Sequence, residues 1–244
     1  MINNRPYWVD SPFNIHFINS TNLLEQTFNS SESGFELDEN MYAIQTILNT
    51  VITIEAVANC LIDDLNLPKR IKEEVDKFKI LSKFEYYLQI KGQLNMEYGS
   101  NNVQKIKELI SIRNDLVHSK VKKISGTISN DKTEENLDHF ISESKEKYNN
   151  TQIPKSYASW GLVEAKVAVS SFLDFINYIF NSLCFSPEDV SILLLPKQYD
   201  SNGDGIWMID KRLEISFKKL NNILMSEITP FIDIEGTGQY TEFH

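Results

Sequence analysis

From Asp38 onward the apolar residues fall into a rhythm that the preceding segment lacks. Met41, Ile44, Ile47, Leu48, Val51, Ile52, Ile54, Ala58, Leu61 and Ile62 recur at steps of three and four, the spacing of one helix face, and Pro68 closes the run. The stretch KRIKEEVDKFKILSKFEYYLQIKG then sets Ile71, Val75, Phe78, Leu81, Phe84, Leu88 and Ile90 among charges, which fits one helix or two short ones. Gly92 to Gly99 reads as a break. Helical spacing resumes from residue 101 to about 120 through Val103, Ile106, Leu109, Ile110, Leu116 and Val117,. It returns beyond Pro154 through Leu162, Ala165, Val169, Phe172, Leu173, Ile176, Ile179, Phe180 and Leu183. Helices striped in this way must bury their apolar faces against one another, so the expected class is all-α, with a helical bundle over residues 37–185.

The remaining segments lack that rhythm. Residues 1–36, rich in Asn, Ser and Phe, are expected to form an irregular N-terminal arm packed through its aromatics,. Residues 122–156 form a polar insertion in which TEENLDHFISESKEKY suits a solvent-exposed helix. Connections of such length inside a compact domain are usually functional or mobile. Residues 186–244 are expected to be a mixed C-terminal appendage: a β-leaning SILLLP, the loop DSNGDG, a helix from about Arg212 to Ser226, and a tail. No repeat with a period of about 20 to 50 residues is present, which excludes solenoids.

Composition narrows the partners. A formal charge of −10 disfavours broad adhesion to nucleic acid or anionic membrane, which needs excess Lys and Arg. Contact with nucleic acid must then be local. No run of about eighteen apolar residues or secretory leader is visible, so a cytoplasmic chain with no membrane partner is expected. Cys60 and Cys184 are the only cysteines and lie in apolar helical patterns, which predicts reduced core thiols.

One helix end departs from its own pattern. ISIRNDLVHSK closes an apolar stripe with Arg113, Asn114 and His118. The helix period places Asn114 and His118 on one face, with Arg113 roughly 140° around from His118 and about 7.5 Å along the axis. A single helix therefore does not aim both groups at one atom, and a second copy or a bend must complete the site. A two-fold dimer brings identical helix ends together.

These residue types suit phosphodiester chemistry. A guanidinium is a permanently charged fork matched to phosphate, and an imidazole exchanges protons at physiological pH. With RNA the 2′-hydroxyl is a built-in nucleophile, so a base and a cation suffice and no metal or cofactor is required. The negative end of the helix dipole favours a cation here, so His118 could act as acid or bind phosphate. Lys120, Lys122 and Lys123 follow at once, and read either as a local substrate-binding funnel or as cations gathered by that dipole. The trio itself could also be a C-terminal cap, with Arg113 packed along a neighbour and His118 bonded to carbonyls.

RNDLVH at Arg113 to His118 resembles the signature of the HEPN superfamily, an arginine and polar residue followed at short distance by histidine near the end of a core helix. The resemblance covers roughly residues 38–185. It implies an all-α HEPN-like helical bundle, here with an N-terminal arm and a mixed C-terminal appendage. It further implies a metal-independent endoribonuclease hydrolase acting as a homodimer, with Arg113 and His118 catalytic and Asn114 assisting. Such nucleases serve as toxin–antitoxin or antiviral-defence effectors, so an antitoxin or defence-system partner protein is expected beside the RNA substrate. The alternative is a non-catalytic HEPN-like interaction or nucleotide-binding module.

Other signals are weaker. DSNGDGIWMIDK places Asp200, Asn202, Asp204 and Gly205 as a calcium loop would, but Lys211 stands where the bidentate glutamate is needed, so a surface turn is expected,. His16, His139 and His244 lack ligand partners at zinc spacing,. Glu55 and Asn59, four apart in the most apolar helix, either face the site or bond across the bundle.

Overall fold

In the computed structural model, residues 6–118, 126–129, 139–142, 146–200, 204–234 and 238–241 are described. The protein is predominantly helical. Its centre is α2 (Glu36–Asp64), the long helix foreseen from the apolar rhythm. Around it lie α1 (Pro12–Ser33), α4 (Ile80–Gly92), α5 (Asn101–Val117), α6 (Leu162–Ser182) and α7 (Pro187–Leu194). The KRIK stretch divides, giving a short α3 (Lys69–Val75) before α4. By length and composition α2 could cross a bilayer, but 56% of its most apolar window is buried inside the fold.

Residues 12–33 correct the expectation of an irregular arm: they form a helix of 22 residues packed along α2. The sequence hides it because several inward positions are polar, namely Asn14, Ser20, Thr21 and Thr27. Thr21 and Thr27 donate their hydroxyls to the carbonyls of Phe17 and Leu23 at 3.0 and 2.8 Å. Ser20 meets Thr50 of α2 at 2.9 Å. Hydroxyls satisfied in this way can be buried at low cost. Gly34, at φ 74°, turns the chain into α2, and the Phe35 N–H closes on the Ser30 carbonyl at 3.0 Å, the left-handed ending for which glycine is suited.

The C-terminal region is likewise not a separate appendage. The first four residues of SILLLP belong to α7 rather than to a strand, in a helix started by Ser186, which caps the Asp189 N–H at 3.2 Å, and by Pro187 in the first turn,. A further helix, α8 (Lys211–Leu224), lies on α1, with Lys219 reaching Asn22 and Glu25 at 2.9 and 2.6 Å. Phe231 sits among the rings of Phe13, Phe17, Phe172 and Phe217, so N-terminal, central and C-terminal segments share one core. The ends are also joined by a sheet of order β1-β4-β5-β6, from β1 (Tyr7–Val9), β4 (Lys197–Tyr199), β5 (Asp204–Trp207) and β6 (Gly238–Thr241), all pairs antiparallel. Part of DSNGDG, 201–203, lies outside the described residues, and Asp204 already belongs to β5.

Within the insertion the expected exposed helix is replaced, where the chain is described, by an antiparallel hairpin of β2 (Gly126–Ser129) and β3 (His139–Ser142). Thr127, Ile128, Phe140 and Ile141 are strand-favouring types, and they outweigh the helix-favouring charges that flank them. Cys184 is also corrected: it lies beyond α6 at φ 56° and is exposed, whereas Cys60 is half-buried, and both are free.

Candidate functional site

Three sides of α5 do three different jobs. Val103, Ile106, Leu109 and Ile112 are buried against α2 and α6. On a second side Glu108 accepts hydrogen bonds from the backbone N–H groups of Asn150 and Thr151 at 2.9 and 2.8 Å, from Asn150 Nδ2 at 2.6 Å, and from Thr151 Oγ1 at 3.0 Å. Partial burial pulls this carboxyl upward, but those donors outweigh it and hold it below the usual carboxylate range,. One turn pair further on, Asp115 accepts from the Tyr148 hydroxyl at 3.3 Å. Burial, then the Asp115 charge, push that phenol up to about 12. The chain leaving the insertion is thus strapped to α5.

The third side carries the candidate chemistry. Arg113 is half-buried, 30% exposed, and its Nη2 pairs with Glu55 Oε2 of α2 at 3.2 Å. Its Nη1 donates to Asn114 Oδ1 at 3.0 Å. A guanidinium carries five N–H donors, so the two bonds fix its plane while leaving donors for a ligand. Glu55 therefore faces the motif, whereas Asn59 bonds across the bundle, its Oδ1 accepting from Lys83 Nζ at 2.7 Å.

Arg113, Asn114 and Glu55 line an open groove of about 580 Å³ between α5 and the chain around the start of α4. Lys79 and Lys107 also line it, as do Phe78 and Tyr98, residues 42% and 40% exposed. Three cations against one carboxylate make this groove locally positive within a chain of net charge −10. The Tyr98 hydroxyl donates to Glu85 at 2.7 Å, and burial followed by that bond raises the phenol to about 12.

His118 caps α5 with non-helical φ −105° and ψ 37°, its backbone N–H donating to the Asn114 carbonyl at 3.0 Å. Its side chain is exposed. The helix period sets it on the Asn114 side, about one turn past the groove. The structure therefore joins Arg113 with Asn114 directly and leaves His118 beyond them at the helix end. Lys120, Lys122 and Lys123 lie outside the described residues.

Sequence reasoning missed Lys79, Lys107, Phe78 and Tyr98 as a set, because they converge only through tertiary packing and form no short motif. A second cavity, about 520 Å³, is lined by Asp10, Asp63, Asp64 and Asp76 together with Lys72 and Lys197. Its carboxylates outnumber its lysines; Asp63 is paired with Lys72, and Asp64 with Lys91 and Tyr87. Among the described residues no group of side chains is arranged to hold a metal ion.

No protein-family model matches the chain, and neither the curated proteins nor the solved structures give a match.

Proposed function

We propose that the protein is a metal-independent endoribonuclease of HEPN type acting as a homodimer. The observation that carries this reading is the position of Arg113: it stands half-exposed on the wall of a locally positive groove, oriented by Glu55 and Asn114, with exposed His118 ending the same helix. In this mechanism the RNA 2′-hydroxyl loses its proton to a base and its oxygen attacks the adjacent phosphorus. Arg113 neutralises the charge that builds on the non-bridging oxygens. His118 moves the proton, and the departing 5′-oxygen takes one up, leaving a 2′,3′-cyclic phosphate and a 5′-hydroxyl. Since Arg113 and His118 point roughly 140° apart on one helix, the Arg113 of one subunit is proposed to work with the His118 of its partner. A role as a toxin or antiviral-defence effector held in check by a partner protein follows from the same resemblance.

The test is direct. Wild type, Arg113→Ala and His118→Ala are incubated with RNA in EDTA and the new ends are analysed. Cleavage by wild type to cyclic phosphate ends, reduced by about a hundredfold or more in each variant, is expected. No cleavage by wild type, or undiminished cleavage by both variants, refutes the proposal.

The Glu55 ion pair favours a second reading, in which Arg113 clamps α2 to α5 in a non-catalytic interaction module. There Arg113→Ala and Glu55→Gln would shift stability equally, by about 0.5 kcal/mol for so exposed a pair, and neither would alter any RNA.

A further inference from the structure

β1 stands at the margin of the sheet and, among the described residues, is paired on one side only, with β4. Natural edge strands are commonly blunted by lysine or proline. Tyr7, Trp8 and Val9 include neither, and Tyr7 and Trp8 are 51% and 53% exposed. Alternation along the strand puts Tyr7 and Val9 on one face and Trp8 on the other. The Tyr7 face, together with Lys197 and Tyr199 of β4, borders the second cavity, which reaches across to the end of α2 and to α3. Tyr7 stacks on Tyr199 with ring centroids 4.6 Å apart, so this face is held in place. Four carboxylates line the cavity against two lysines. Asp63 and Asp64 are engaged by Lys72 and Lys91, whereas Asp10 and Asp76 form no salt bridge among the described residues.

We infer that this edge docks an extended basic segment of a partner protein, which joins the sheet beside β1 as a further strand. The outward backbone N–H and C=O groups of β1 supply the hydrogen bonds, and the flanking side chains supply the choice of partner. Side chains of the added strand alternate too. Those on the Tyr7 face are Lys or Arg, which reach Asp10 and Asp76, and those on the Trp8 face are apolar and cover its ring. The ligand class is thus a strand of alternating basic and apolar residues. Charge selects this occupant over others. A second copy of the chain would bring its own Asp10 and the neighbouring carboxylates to the same edge, and a nucleic acid would bring phosphates, so like charges oppose both. The inference does not depend on the ribonuclease reading, which rests on the groove beside Arg113.

The full-length protein is titrated, by fluorescence anisotropy, against the labelled peptide Lys-Val-Lys-Val-Lys-Val-Lys and a control of the same composition, Lys-Lys-Lys-Lys-Val-Val-Val. The alternating peptide should bind at least about tenfold more tightly, the combined effect of about two backbone hydrogen bonds. Backbone N-methylation gives a sharper signature. In a strand the N–H groups of successive residues point to opposite edges, so methylating the valines or methylating the lysines should abolish binding in one case and spare it in the other. Asp10→Asn and Asp76→Asn, at exposed positions, should each weaken the alternating peptide about threefold. Trp8→Ala should weaken it as well, and the two aspartate variants serve as readouts if Trp8→Ala lowers the melting temperature. Equal binding of the two peptides reports attraction by charge alone and overturns the proposal. It is overturned equally by no binding of either peptide, by equal effects of the two methylation patterns, or by aspartate variants that bind like their parent.

Discussion

Glu108 offers the clearest quantitative prediction, because one carboxylate gathers four donors from two adjacent residues. Glu108→Gln preserves size but replaces one acceptor oxygen with an amide that faces donors. Hydrogen bonds to a charged group contribute about 1.5–3 kcal/mol each when well buried. Glu108 is only partly buried, so water replaces much of what is lost and the total is discounted to about 2 kcal/mol. For a domain of this size that corresponds to a fall of about 4–8 °C in melting temperature. The strap cannot simply detach to avoid the loss, because Ile153 lies in the core and the Trp160 indole N–H bonds to the Pro154 carbonyl at 2.7 Å. The pH dependence has a definite sign. The folded carboxyl titrates below its unfolded value, so the stabilisation is fully present above the unfolded value, about 4.3, and disappears as pH falls through the folded one. Urea midpoints of wild type and Glu108→Gln should therefore differ at pH 7 and converge as the pH drops below about 4. A gap that is absent at pH 7, or unchanged across that range, refutes the account.

Two further substitutions probe the fold. Phe231→Ala, at a residue 6% exposed among four rings from three helices, should cost about 3–5 kcal/mol by chemical denaturation; a cost below about 1 kcal/mol would make the C-terminal region peripheral after all. Gly161→Ala should cost about 1 kcal/mol, since the added Cβ would meet Glu39 Oε1 at 2.6 Å and displace the carboxylate that caps the Leu162 N–H at 2.8 Å,. Glu39→Ala should cost a similar amount and make Gly161→Ala nearly silent, and independent effects would exclude this coupling.

The parts of the fold readable in advance are those where apolar side chains alone mark the inward face. In α2, α5 and α6 the Ile, Leu, Val and Phe positions recur with the helix period, and most of them point into the core. In α1 the period is broken by hydroxyls that bond back to their own helix, so a buried face reads as polar. The β-leaning reading of SILLLP weighed its branched residues above the Ser186, Pro187 and Asp189 start, a capping signal the sequence does contain,. At the candidate site, Arg113, Asn114 and His118 could be named because they lie within six residues of one helix end. Glu55 was ambiguous because only tertiary packing brings α2 beside α5, and the groove rings and lysines could not be found at all, since they come from separate elements.

The arrangement of α5 also explains why a polar trio can be accommodated at the end of a core helix. At about 100° per residue, the buried positions Val103, Ile106, Leu109 and Ile112 drift steadily around the axis, so by the last turns the face that began against the core has rotated. Arg113 therefore falls at the core's margin, where half-burial is costly for a cation unless it is paired. Glu55 supplies the pair from α2, and Asn114 fixes the guanidinium plane from the next position along. Glu108 and Asp115 meanwhile anchor the strap on another side of α5. Swapping Glu55 for an apolar residue would then do more than delete a surface ion pair. It would leave the half-buried arginine free to turn toward water, removing the preorganisation that the proposed binding of phosphate requires.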